Sequence, residues 1–213
     1  KQAESKTLSP LGRKMLERVA TGLNENPNVK LHEVSQTLLR RYNAHPERYK
    51  NLVINHNFEK LSDSYLKSRD WSGSGVRNWG FWRAVKEGSY GPAEYEGRNG
   101  SNCVGIHIPT TSGCYIYDQP VKAGEVYLVK IYGRQENAND SMTLTIGWQN
   151  PNGWVYQNLF TFPFNQTQED GWKLAEGIVV VPKGVTKLVF MPGVPKGNKG
   201  KTFFDDAAIY QLK

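Results

Sequence analysis

The chain has 213 residues, 38% of them hydrophobic and 12% aromatic, which is enough to build the core of one domain or of one domain with an appendage. Residues 1–50 hold 10 basic and 5 acidic residues, a net charge of +5, whereas residues 51–213 hold 17 and 15, a net charge of only +2. This balance argues against nucleic-acid binding by the larger part, because such a domain carries its own basic stripe, and no apolar run approaches the ~18 residues of a membrane-spanning helix.

Residues 1–50 are predicted to form a helical segment of two short amphipathic helices. Pro10 suits the first position of the first helix, Pro27 ends it, and the second helix ends before His45-Pro46. The apolar stripes are formed by Leu11, Met15, Val19 and Leu23 and by Leu31, Val34, Leu38 and Tyr42. Two such helices cannot bury both stripes alone, so we expect them to pack on each other and on the following or a preceding domain. The basic pair Arg40-Arg41 is interpreted as a solvated face rather than as a polyanion site.

From Asn51 onward the pattern changes to short runs of alternating polarity, separated by Gly, Pro, Asn and Asp. The runs cover residues 104–108, 126–134, 142–148, 177–181, 187–190 and 203–210. Six or more such runs predict an all-β sandwich or barrel over residues 51–213. No helical pattern lies between them, which excludes a parallel α/β sheet.

The two cysteines, Cys103 and Cys114, are too few for a disulfide scaffold and lack metal-site spacing. Each lies in a strand-like run, with the turn residues 109–113 between them. If the two runs form a hairpin, the sulfur atoms can meet across it. Two buried free thiols are the other interpretation, and the sequence leaves both open.

Three passages of the β region stand out in order. The predicted opening strand 51–59 has the pattern N-L-x-x-N-x-x-F-E, Gly171-Trp172 precedes a strand and the turn 182–184, and the closing strand 203–210 has the sequence F-F-D-D-A-A-I-Y. Together they resemble the carbohydrate-binding modules of the family 4, 9, 16 and 22 type. The resemblance covers residues 51–213 and implies a mainly β jelly-roll sandwich, preceded by the helical segment, that binds polysaccharide or oligosaccharide without catalysis. Modules of this type are usually appended to secreted glycan-degrading proteins.

The resemblance also implies a structural calcium ion. The first and last strands of such a sandwich are neighbours, and two carboxylates that meet there repel each other unless a cation joins them. The ligand set carried over from the family is Asn57, Glu59, Glu96, Asn99 and Asp205, with the two asparagines contributing backbone carbonyl groups. In the alternative, Glu59 pairs with a lysine and the two aspartates of the closing strand are solvated.

Aromatic residues on a solvent face of the sandwich are the candidates for sugar binding, because sugar rings stack on aromatic planes while polar side chains bind hydroxyl groups. The outward stripe of the run 126–134 carries Tyr132 and Arg134, as a sugar-binding face would. Trp148 faces inward by parity unless a bulge at Gly147 re-aims it. The predicted sugar-binding residues are Trp82, Arg134, Trp148, Trp154 and Tyr156, whereas Trp172 is predicted to face inward.

We expect no enzyme activity in this chain. There is no nucleophile elbow, phosphate loop or dinucleotide fingerprint, and the four histidines neither cluster nor show metal spacing. Jelly-roll folds also include polysaccharide lyases, which Lys130, Tyr132 and Arg134 could serve. A further alternative is an interaction module that packs on a neighbouring catalytic domain, which the N-terminal helices favour. The resemblance implies a secreted, periplasmic or cell-surface location.

Overall fold

The computed structural model describes residues 30–69, 73–84, 88–108, 112–138 and 141–213. The first predicted helix lies outside the described residues. The second is confirmed: helix α1 spans Lys30–Ala44 and ends where predicted, and a 3-10 turn, Pro46–Arg48, follows it. Among the described residues, no helix is long and apolar enough to cross a membrane.

Strands make up most of the described chain after α1. In chain order they are β1 (Gly80–Arg83), β2 (Ser89–Ala93), β3 (Cys103–His107), β4 (Gly113–Pro120), β5 (Val126–Glu136), β6 (Thr143–Asn150), β7 (Gly153–Pro163), β8 (Gln166–Thr167), β9 (Lys173–Val180), β10 (Lys187–Val194) and β11 (Lys201–Gln211). The six predicted runs coincide with β3, β5, β6, β9, β10 and β11.

A short helix, α2 (Asp63–Ser68), corrects the prediction that no helix follows Asn51. The Ser62 hydroxyl caps it by accepting a hydrogen bond from the Tyr65 N–H at 3.2 Å. Tyr65 is its one buried residue. Six residues with a single buried position are too short to show a helical period in the sequence.

The strands form two antiparallel sheets. The five-stranded sheet has the order β1-β4-β10-β6-β7, and the six-stranded sheet has the order β2-β3-β11-β5-β9-β8. Because the chain passes repeatedly from one sheet to the other, the two sheets face each other across one core. The largest core side chains are contributed by both sheets and include Tyr115, Tyr127, Ile131, Leu144, Trp148, Phe190 and Phe204. The predicted mainly β sandwich is confirmed.

Of the two alternatives left open for the cysteines, the meeting across a hairpin is the one that the structure excludes. Cys103 lies on β3 in the six-stranded sheet and Cys114 on β4 in the five-stranded sheet, so the chain changes sheets between them. Both thiols are free. Burial raises the pKa of Cys114 to about 12 and also raises the pKa of Cys103, so both stay protonated at neutral pH.

The segment 51–59 is not the strand that its pattern predicted. Asn51 forms an isolated bridge with Tyr210 of β11, and turns follow, in which Phe58 has a φ of 55°. The two ends of the β region are nevertheless neighbours, as predicted. Phe58 is fully buried and lies in the same core as Phe204.

Helix α1 packs on the outer face of the six-stranded sheet. Leu38 is buried against Val126 and Val180, and the Tyr42 ring centroid lies 5.0 Å from that of Tyr210. Leu38 and Tyr42 of the predicted apolar stripe therefore pack on the following domain, which was one of the two partners expected for the helix.

Candidate functional site

The outer face of the five-stranded sheet carries an exposed tryptophan at its β1 edge. On β4, Tyr115 and Tyr117 are buried in the core, so Cys114 and Ile116 point outward. Trp82 is paired with Cys114 across the β1–β4 ladder and therefore also points outward. It is 50% exposed.

A second tryptophan lies on the same face at the opposite edge. Trp148 of β6 is fully buried, so Gln149 points outward, and Trp154 of β7 is paired with Gln149. Trp154 is 41% exposed, and its ring lies over Gly147, where a Cβ atom would be 2.8 Å from the ring. The Trp154 ring therefore packs directly on the backbone of β6 at Gly147. We call the outer face of the five-stranded sheet between Trp82 and Trp154 the tryptophan face.

Polar side chains lie between the two tryptophans. Thr145 of β6 is paired with Thr161 of β7, and by strand parity both point outward. Lys187 and Asp118 form an ion pair with an N–O distance of 2.9 Å on neighbouring strands of the same face. These groups can donate and accept hydrogen bonds, and the ion pair adds no net charge.

The outer face of the six-stranded sheet is covered around β5, which corrects the expectation of an open stripe on that strand. The Lys130 ammonium group lies 5.6 Å from the ring centroids of Tyr42 and of Tyr210, beneath α1. Tyr132 lies beneath the Arg98 guanidinium, which is 3.8 Å from its ring centroid. Neither side chain forms an open platform for a sugar or a lyase site.

Arg134 lies on this covered side, on the sheet opposite the tryptophan face, so its predicted place beside the tryptophans is wrong. Its guanidinium is ion-paired with Glu96 and Glu136 and lies over the rings of Trp172 and Phe203. Trp172 is buried, but in a cluster with Phe203 rather than in the main core. The alternating polarity of β5 predicted correctly that Arg134 points away from the core. Such a pattern does not indicate which other parts of the chain pack on the outer face of the sheet.

The prediction that Trp148 binds sugar is also wrong, because the side chain is fully buried in the core. An irregularity does occur beside Gly147, but the extra residues belong to β7: the paired residues change from Ile146–Phe160 to Trp148–Val155. The inward parity of Trp148 is thereby preserved. The side chain of Tyr156, which lies in the same irregular stretch, is outside the described part of the structure.

The segments predicted to hold a metal ion meet at the loop 96–102. The Glu59 carboxylate accepts hydrogen bonds from the backbone and side-chain nitrogens of Asn102, at 2.8 and 2.9 Å. The Asp205 carboxylate accepts one from the Arg98 N–H at 2.9 Å. The loop 96–102 therefore contacts both Glu59, which precedes the first strand, and Asp205 of the closing strand β11.

Asp205 is only 1% exposed, and burial raises its pKa to about 7. The Arg98 side chain forms its ion pairs with Asp170 and Asp206 instead. Within the described ranges, no cationic side chain is ion-paired with Asp205. Because a buried carboxylate is costly without a compensating cation, a bound cation at this position would be stabilising.

The other predicted ligands are less well placed. The Glu96 carboxylate is ion-paired with Arg134 at 3.0 Å, Asn99 lies in a 3-10 turn with a φ of 57°, and Asn57 lies half-buried in the turn before Phe58. The described residues contain no group of three or more Asp, Glu, His or Cys side chains arranged to hold a metal. Glu59 and Asp205 fit a cation site best, and the complete ligand set stays a prediction.

Two features of the tryptophan face were missed at the sequence level. Gly147 was interpreted as a bulge rather than as the position on which the Trp154 ring packs, and the Asp118–Lys187 ion pair was not identified. The signal available for Gly147 was its place in an alternating strand, where an interior glycine marks a close approach by another group. Asp118 and Lys187 are 69 residues apart, and no local pattern joins them.

No family model and no curated protein matches the sequence. Solved structures match 76% of the chain. They include the tailspike protein 4 enzymatically active domain of bacteriophage CBA120 (TM-score 0.53, 9% identity), the CBM22-1 and GH10 modules of Clostridium thermocellum endo-1,4-β-D-xylanase 10B complexed with xylohexaose (0.51, 12%) and an arabinose-bound GH51 α-L-arabinofuranosidase (0.52, 14%).

The match covers 21%, 28% and 26% of those chains, so this chain spans about a quarter of their length. At such identities the likeness shows the fold. It confirms the predicted class, a jelly-roll β-sandwich, here as a fold that occurs within larger enzyme chains.

Proposed function

We propose that residues 51–213 form a non-catalytic carbohydrate-binding module whose ligand lies along the tryptophan face. The observation that carries the proposal is the difference between the two sheets. The outer face of the six-stranded sheet is covered around β5 by α1 and the loop 96–102, whereas the outer face of the other sheet presents Trp82 and Trp154, which are 50% and 41% exposed. Large aromatic side chains left exposed on an uncovered sheet are typical of a binding surface.

The chemistry of this face suits a polysaccharide or oligosaccharide. The flat faces of the two indoles can stack on the C–H faces of sugar rings, and Thr145, Thr161 and Gln149 can bind hydroxyl groups between them. The tryptophans lie on the two edge strands of a five-stranded sheet. Four strand spacings of about 4.8 Å separate these edges by roughly 19 Å. The register also offsets the two tryptophans by six residues along the strands, which adds about 20 Å in that direction, so a chain of several sugar rings that contacts both must lie diagonally across the face.

The fold comparisons agree with this function. One matching structure includes a CBM22-1 module in a xylanase complexed with xylohexaose, and another is an arabinofuranosidase bound to arabinose. We propose that the present chain likewise belongs to a larger secreted or cell-surface protein that degrades glycans. The lyase alternative is not favoured, since Lys130, Tyr132 and Arg134 are engaged on the covered side.

We further propose that the module holds a calcium ion at the loop 96–102. Glu59 and Asp205 would be the acidic ligands, and the carbonyl groups of Asn57 and Asn99 would complete a set of hard oxygen donors. Glu96 would join it only if its ion pair with Arg134 opened. The bound ion would neutralise the buried carboxylate of Asp205 and tie the closing strand to the loop, a structural rather than catalytic role.

The direct test is titration of the chain with soluble xylan, mixed-linkage β-glucan and galactan, followed by tryptophan fluorescence and affinity gel electrophoresis. We expect at least one glycan to bind, and Trp82→Ala and Trp154→Ala each to weaken binding about tenfold. Tyr95→Ala is the matched control, because Tyr95 is 79% exposed but follows β2 in the other sheet.

The proposal is refuted if no glycan changes the tryptophan fluorescence or the gel mobility of the chain. That result would favour the interaction module. The proposal is equally refuted if the double variant Trp82→Ala/Trp154→Ala binds as tightly as the unmodified chain. If Tyr95→Ala lost as much glycan affinity as the tryptophan variants, the binding site would lie elsewhere.

A further inference from the structure

A groove of about 780 Å³ lies between helix α1 and the C-terminal end of β11, outside the tryptophan face. Its walls are strongly basic. The cationic lining side chains are Arg40, Arg41, Arg48 and Lys213, and no Asp or Glu is among the described residues that line it. The groove lies on the side of the sandwich where α1 covers the six-stranded sheet.

The positive charge of the groove is only partly compensated. Glu47 lies 3.3 Å from His45 and 3.9 Å from Arg48, and both contacts are well exposed. The Arg40 Nε donates a hydrogen bond to the carbonyl of Gln36 at 3.3 Å. Within the part of the chain that the structure describes, neither Arg40 nor Arg41 is ion-paired with an acidic side chain.

The favourable interaction of basic residues with the dipole at the end of α1 does not by itself explain why these basic side chains cluster in the groove. A cation in the last turn of a helix is stabilised by the helix dipole, and Arg41 occupies such a position. Arg48 lies beyond the helix, however, and still lines the same groove, together with the ring of Tyr49. The structure thus gathers guanidinium groups from two elements around one concave surface, which a solvated helix face does not require.

We propose that this basic groove is a second carbohydrate site, which takes an acidic polysaccharide through its carboxylate or sulfate groups. Guanidinium groups bind such planar or tetrahedral anions through paired hydrogen bonds, and Tyr49 offers an aromatic surface beside them. The choice of a polysaccharide as the carrier of the anions rests on the proposed function of the module. The tryptophan face and the groove lie on opposite sides of the sandwich, so the two sites act independently.

The test uses the full chain with heparin, polygalacturonate and neutral xylan as probes, and poly-L-glutamate as a polyanion without sugar. We expect heparin or polygalacturonate to bind and to weaken as salt is raised from 20 to about 300 mM, since exposed charges are screened over that range. The variant Arg40→Gln/Arg41→Gln should lose at least tenfold in affinity for the acidic glycan.

The matched control is Lys183→Gln/Lys196→Gln, which removes the same net charge at two exposed positions outside the groove. It should bind as the unmodified chain does. Arg48→Gln, outside the helix, repeats the test if the double arginine variant does not fold. The variant Trp82→Ala/Trp154→Ala should keep its affinity for acidic glycans, so failure at the tryptophan face and failure at the groove are distinguishable.

Three results would overturn the inference: no binding of either acidic glycan at low salt, equal losses in the arginine and lysine variants, or equal affinity for poly-L-glutamate. The second would mean that net charge alone attracts the polymer. The third would mean that the groove recognises a polyanion irrespective of sugar.

Discussion

Gly147→Ala tests whether the backbone of β6 positions the sugar-stacking ring of Trp154. The added methyl group would lie 2.8 Å from the Trp154 ring and 2.9 Å from the Met191 Cε atom. Carbon atoms at optimal separation are about 3.5–4.0 Å apart, so the ring must withdraw by about 1 Å. Met191 ends in a flexible methyl group and can turn aside, but the broad indole can only tilt away from the sheet.

The expected effect falls on binding rather than on stability. Overpacking costs about 1 kcal/mol at the low end of its range, and the gain from replacing a strand glycine offsets roughly 0.5–1 kcal/mol of that cost. A tilted ring loses stacking worth about 1–1.5 kcal/mol, which corresponds to roughly a tenfold weaker affinity. We therefore expect a nearly unchanged unfolding free energy together with a tenfold higher dissociation constant.

Isothermal titration calorimetry with the glycan that the unmodified chain binds measures the affinity, and urea unfolding measures the stability. Gly80→Ala is the control, because it lies on the same face, opposite Ile116, and its added Cβ would be an ordinary 3.6 Å from the nearest atom. The reasoning is refuted if Gly147→Ala keeps full affinity while Trp154→Ala loses it, or if Gly80→Ala loses as much as Gly147→Ala.

Three further predictions concern the core, the thiols and the metal. Trp148→Ala should lower the unfolding free energy by about 3–5 kcal/mol in urea titrations, because a fully buried indole leaves a large cavity. Cys103 and Cys114 should resist iodoacetamide at pH 8 in the folded chain and react in urea, as mass spectrometry would show, since burial raises both thiol pKa values. Saturating calcium should raise the melting temperature over that in chelator by roughly 5–10 °C, and Asp205→Asn should abolish the difference.

Each of these has a clear contrary result. A Trp148→Ala variant no less stable than Trp154→Ala would mean that the ring does not fill the core. Rapid labelling of Cys103 in the folded chain would mean that its strand opens readily, and rapid labelling of Cys114 would mean that its partly buried thiol is accessible from the outer face. A calcium effect that persists in both Asp205→Asn and Glu59→Gln would place any ion elsewhere.

The sequence by itself determined the fold class and most of the strands. Alternating runs such as those of β5 and β11 depend only on local backbone geometry. Successive side chains of a strand point to opposite faces whatever strands lie beside it, so the pattern can be read from the sequence. The same parity placed Trp148 inward. The likeness of the two ends of the β region to a known family was enough to predict that these ends are neighbours, and Phe58 and Phe204 do lie in one core.

Only the tertiary structure decided which outer face is open. Alternation predicted that Arg134 and Tyr132 leave the core, but α1 and the loop 96–102, distant in sequence, cover that part of the sheet. The partner of Trp154 across the β6–β7 ladder likewise depends on register, which local pattern does not specify in an irregular strand. Whether an outward side chain meets solvent is a property of what packs against the sheet, and that depends on contacts between parts of the chain far apart in sequence.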